Sequence, residues 1–196
     1  KDVNELLEIR HDDEYLLQQL ALHTYKSADP DELTALINGS NIINKLDPDN
    51  SNNPETTGIA GAIFKRIFAI SQNHDDIDKA IRYYQRGFVL KKDYYNGENL
   101  ATCYRIKSGA LSLEDDKVFF ARLARETSKE VMLRIKEVLD SDNFMERKDK
   151  RWVYATAANM HNYLGNSFEF KRFETLFIGE NPSDWERTTF YSNLDH

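Results

Sequence analysis

One cysteine, Cys103, stands in 196 residues, so no internal disulfide framework is available and a reducing, cytoplasmic setting is expected. Four prolines and eight glycines are too few for collagen-like or low-complexity chains. No apolar run approaches the roughly 20 residues that a membrane span requires, and no signal peptide is expected from the opening residues. Runs that alternate apolar and polar residues, the mark of half-buried strands, are also missing. Nor is there an excess of basic charge. The net charge is −7, which argues against binding a phosphate backbone, and neither nucleic acid nor membrane is expected as a partner. The chain opens on Lys1, read as a segment of a longer protein.

The charge is unevenly spread. Residues 1–60 hold 12 Asp and Glu against 4 Lys and Arg, whereas the remainder is nearly balanced. The best cationic stripe is Arg122, Arg125, Lys129 and Lys136. Glu126, Glu130 and Glu137 interleave with it, which predicts a solvated helix face carrying pairs such as Arg122–Glu126 and Glu130–Arg134.

What the chain does have is an apolar period near 3.6 throughout. Asp12-Asp13 precede a helix reaching about Ser27, with Leu17, Leu20, Ala21 and Tyr25 inward. Asp29-Pro30 start a second helix that Gly39-Ser40 interrupts. Asp47 to Asn53 is the clearest loop. Pro54 opens a helix with Ile59, Ile63, Ile67 and Ile70 inward, and Asp75 or Asp76 caps the next, which turns Ile77, Ala80, Ile81, Tyr84 and Phe88 to the core. A helix from Tyr94 ends at a Gly109 stop, and a long one follows over about 114–139. The fold class is therefore all-α, a single domain over 1–196. Antiparallel helix pairs are expected at about 12–46, 54–92, 94–139 and 151–178, with a closing helix at 182–194.

The pairs repeat a small-residue and aromatic motif: Ala60-Gly61-x2-Phe64, Leu100-Ala101-x2-Tyr104 and Tyr154-x2-Ala157-Ala158-x2-His161. Ala80-x3-Tyr84-x2-Gly87 matches a second helix. Small residues admit a neighbouring helix and aromatics fill the gap, so the pairs read as divergent tetratricopeptide-like superhelical repeats, longer than the standard 34 residues.

Beyond that pattern, Gly58-Ile-Ala-Gly-Ala-Ile-Phe-Lys-Arg-Ile-Phe68, Asp78-Lys-Ala-Ile-Arg-Tyr-Tyr-Gln-Arg-Gly-Phe-Val-Leu90 and Tyr94-Tyr-Asn-Gly-Glu-Asn-Leu-Ala101 are specific. Together with Asp184-Trp185 and Tyr191-Ser-Asn-Leu194, they resemble the TRAFs-binding tetratricopeptide region of the apoptosis signal-regulating kinases, which are MAP kinase kinase kinases with bacterial relatives. The resemblance covers about His11 to Leu194 and implies a curved repeat scaffold inside a larger signalling protein. The kinase motifs themselves are absent.

Catalysis is not expected. The histidines at 11, 23, 74, 161 and 196 have no metal-ligand spacing, and Cys103 has no partner cysteine, so neither metal nor cofactor is predicted. His161 and Cys103 read as core residues, and Asp75-Asp76 and Asp115-Asp116 as helix caps. Stacked pairs turn their first helices to a concave face. There Lys65, Arg66, Tyr95, Arg105, Trp152, Asn159 and Asn162 would grip an acidic or extended segment of a protein. The expected function is thus a non-catalytic interaction, scaffold or regulatory domain that binds a peptide or partner domain. The alternative is a domain sensing a nucleotide or small molecule and controlling an attached effector, as in a bacterial signalling or defence protein. Self-association through the terminal helix around Trp185 and Tyr191 is a further expectation.

Overall fold

The computed structural model describes residues 12–194. Among them are nine α-helices and two 3₁₀ turns, with no strand. The sequence reading treats 1–196 as one domain; the chain clusters into two compact units, residues 1–91 and 92–196.

The first unit holds α1 (Glu14–Ser27), α2 (Glu32–Ile43), α3 (Pro54–Ser71) and α4 (His74–Lys91). Local chemistry sets each start. The Asp13 carboxylate accepts the Leu16 N–H at 3.0 Å, Asp31 accepts that of Thr34 at 2.9 Å, and Asn53 accepts that of Glu55 at 2.9 Å ahead of Pro54. The α2 cap is therefore Asp31, not Asp29, and the helix begins after Pro30 rather than with it. For α4, Asn73 accepts the Asp75 N–H at 3.1 Å, so the cap precedes Asp75 and Asp76. Gln72, at φ 54°, turns the chain between α3 and α4.

Helices α1 and α2 pack as one antiparallel pair and α3 and α4 as another, with α2 against α3. Leu17, Ala21, Tyr25, Ala35, Leu36 and Ile43 are buried, as are Ile59, Ile63, Ile77, Ala80, Ile81, Tyr84 and Phe88. Ile70 is exposed, because the α3 stripe rotates off the core in its last turn. Gly39 and Ser40 do not interrupt α2. A Cβ at Gly39 would stand 2.9 Å from the Tyr25 Cβ, and one at Gly61 would stand 2.8 Å from the Tyr84 ring. Each glycine is thus the contact point of its pair. The loop at 47–53 is pinned to α4: Arg86 donates to the carbonyls of Ser51 at 2.6 Å and Asn50 at 2.9 Å, and Arg82 pairs with Asp49 at 3.1 Å.

The second unit holds α5 (Tyr94–Ala110), α6 (Glu114–Leu139), α7 (Lys150–Tyr163), α8 (Ser167–Gly179) and α9 (Asp184–Ser192). Gly109 is not a stop, since α5 runs on to Ala110 and Leu111 is extended. The pairs are α5 with α6 and α7 with α8. A 3₁₀ turn, Phe144–Glu146, buries Phe144 against Tyr154 at 5.5 Å between ring centroids. Helix α9 closes the unit: Phe190 is buried on Phe177 at 4.7 Å. Glu186 accepts from the Ser183 backbone at 2.8 Å and pairs with Arg151 at 3.0 Å.

Candidate functional site

In the second unit, the first helices of the two pairs meet along a polar seam. Tyr95, Glu98, Thr102 and Arg105 recur at three- and four-residue spacing on α5, as do Trp152, Thr156, Asn159 and Tyr163 on α7. The Glu98 carboxylate accepts from the Thr156 hydroxyl and, at 2.7 Å, from the Asn159 amide nitrogen. One to two turns further along both helices, the Arg105 guanidinium lies over the Tyr163 ring at 4.6 Å from its centroid and donates to Thr102 at 3.1 Å. Both contacts advance in the same chain direction, so α5 and α7 run parallel.

The seam is dry. Arg105 and Asn159 are buried, the latter almost completely. Burial pushes the Arg105 guanidinium below its ordinary value, opposed by the charge of Glu98. Because a carboxylate only accepts, Asn159 must turn its amide nitrogen to Glu98. Its carbonyl oxygen and the Arg105 Nε then have no hydrogen-bond partner among the described residues.

The first unit repeats the plan. Gln18 on α1 donates to the Thr56 hydroxyl on α3 at 2.9 Å, and Thr56 donates to Glu14 at 3.2 Å. Further along, the Arg66 guanidinium lies 5.1 Å from the Tyr25 ring centroid. Burial raises the Tyr25 phenol above its ordinary value, opposed by Arg66.

Of the residues expected at the recognition face, Arg105 and Asn159 meet the same carboxylate neighbourhood. Tyr95 extends the α5 stripe and is exposed, and Asn162 is exposed on α7. Trp152 is half-buried and turns to Trp185, 5.8 Å away, and Phe177. Arg66 caps the first unit's seam, and Lys65 beside it is half-buried. Sequence reasoning missed Glu98, Thr102, Thr156 and Tyr163, although their spacing with Arg105 and Asn159 is a readable signal.

A second feature lies on the other side of α7. A groove of about 690 Å³ has walls from Met132, Leu133 and Lys136 of α6 and Arg172 and Leu176 of α8. Its base includes Phe144, Tyr154, His161 and Phe173. His161 stacks on Phe173 at 5.6 Å, and burial holds the imidazole below its ordinary value. Cys103 is buried. Among the described residues, no group of His, Cys, Asp or Glu is arranged to hold a metal, and no helix is long and apolar enough to cross a membrane. His11 and His196 lie outside those residues.

Paired helices whose first members share a polar face define a helical-repeat domain, a class that mediates protein–protein interaction and is generally non-catalytic. The chain belongs to the Tetratricopeptide Repeats-Sensor family, whose model matches residues 1–104, the first unit and most of α5. No curated protein and no solved structure matches the chain.

Proposed function

We propose that the chain is a non-catalytic regulatory module that holds an extended protein segment along the first-helix faces of its repeats. The observation that carries this is the pair of buried groups left without partners at the α5–α7 seam, the Arg105 Nε donor and the Asn159 carbonyl acceptor. An unmet buried polar group costs about 1–3 kcal/mol, so a segment bound along the seam that shifts the two helices enough to satisfy either group would gain from doing so. Tyr95 and Asn162 flank the seam and are exposed, suited to holding the rest of the segment. Lys65 and Arg66 take the matching place on α3, and Trp152 extends the α7 stripe. The resemblance to the kinase region that binds TRAF proteins supports a cytoplasmic signalling parent.

A peptide-display selection on the chain, followed by calorimetry, tests the reading. Enriched segments should bind Tyr95→Ala and Asn162→Ala at least about tenfold more weakly, the loss of roughly 1.4 kcal/mol. Equal binding by both variants would overturn it. The second reading, a sensor of a small ligand, is favoured by the aromatic groove, whose volume lies within the range of small-molecule sites at ~300–1,000 Å³.

A further inference from the structure

Helix α6 is 26 residues long and carries an outward stripe of Phe119, Arg122, Glu126, Lys129, Leu133 and Lys136, all exposed. The spacing alternates three and four, the seam of a two-helix coil. A solvated face accounts for the charged middle of this stripe. It does not account for its ends, where Phe119 is 56% and Leu133 61% exposed. These two lie two heptads apart, about 21 Å along the axis at 1.5 Å per residue.

The order of residues is self-complementary. With a second copy of α6 laid antiparallel and the twofold axis at Glu126, Phe119 meets the second copy's Leu133 at both ends. Asp116 then faces Lys136, and Arg122 faces Glu130. Lys136 has no carboxylate partner among the described residues, whereas Lys129 is held by Glu126 at 2.8 Å and Arg134 by Glu137 at 2.9 Å. Two like-charge meetings arise, Glu126 with its own copy and Asp115 with Glu137. Those same in-helix cations offset both, and Lys129 sits one turn from the axis, within reach of either Glu126. Leu133 and Lys136 also form a wall of the groove, so an incoming Phe119 would extend its apolar lining over the mouth.

We infer that the chain self-associates as an antiparallel α6–α6 dimer about a twofold axis at Glu126. The interface is isologous, so it closes at two copies and builds no filament. It lies away from the α5–α7 seam, so it does not depend on the segment-binding reading.

Sedimentation velocity of the whole chain across a wide concentration range tests it, with far-UV circular dichroism confirming the helicity of each variant. The wild type should form a reversible, concentration-dependent dimer. Lys136→Glu and Asp116→Lys should each raise the dissociation constant at least about tenfold, and the double variant should return it to within about threefold. Phe119→Ser should leave a monomer. A wild type that stays monomeric throughout would overturn the inference. So would a dimer indifferent to Phe119→Ser, which would move the contact elsewhere, with the terminal helix the first place to look. A double variant no tighter than the singles would overturn the antiparallel register.

Discussion

Asn159 shows how much one side chain can commit a helix pair. Its amide reaches across 61 residues of sequence to Glu98. Asn159→Asp would set a second carboxylate against the first and remove the donor. A loss of about 3–5 kcal/mol is expected in urea unfolding at neutral pH, recovered in part in acid as the pair takes up a proton. Asp149 works in the opposite sense. It accepts from the Tyr94 hydroxyl at 2.7 Å and from Arg147 at 2.9 and 2.7 Å. Burial acts to raise it, but those hydrogen bonds and the Arg147 charge hold it below the usual carboxylate value. The unfolded chain then binds the proton more readily than the folded one, so this contribution is present above about pH 4 and fades as the pH falls through the folded value. Asp149→Asn should be less stable than wild type at pH 7, and the gap between their urea midpoints should narrow in acid. Arg105 and Asn159 are singled out by their place in the repeat, and both lie on the α5–α7 seam. For Glu98 and Thr156, the helical spacing shows that each shares a face with Arg105 or Asn159, but not that the two faces meet, because that pairing closes across some sixty residues.

Helix boundaries are where short-range chemistry and packing divide the work. Asp13 and Pro54 announce their helices in sequence; the structure caps the first with Asp13 and opens the second at Pro54, with Asn53, read only as the end of a loop, as its cap. Gly39 misleads, because a glycine within a helix reads as a break on propensity alone. Its purpose appears only when Tyr25 of the neighbouring helix is in view. Gly39→Ala should therefore destabilise by about 1–3 kcal/mol despite the better helix propensity of alanine, because the Tyr25 Cβ and the Ala21 carbonyl, at 2.9 and 3.3 Å, leave no room. Gly109 supplies the contrast. It is exposed in the last turn of α5 with nothing within 4 Å, so Gly109→Ala should raise stability by about 0.4–1 kcal/mol. Thermal melts of the two variants side by side separate packing from propensity. The α6 ion pairs carry a similar lesson. The interleaved charges do pair, but at three-residue spacing, as Glu126–Lys129 and Arg134–Glu137, rather than the four-residue pairs that the sequence suggests.

For the molecule as a whole, the apolar period and the recurring small–aromatic motif made the all-α repeat class readable, and membership of the Tetratricopeptide Repeats-Sensor family agrees with it. The groove was not readable. Its lining comes from α6, the 3₁₀ turn, α7 and α8, and no single stretch of sequence carries its signature. The acidic bias of residues 1–60 falls within the first unit. The central claim is that a protein segment is read by first-helix faces. Amide hydrogen exchange on the whole chain, with and without a selected binding peptide, tests it most directly. The account predicts new protection in α5 and α7, centred on residues 95–105 and 152–163. Protection confined to the groove residues of α6 and α8, around Leu133 and Leu176, with α5 unchanged, would contradict it.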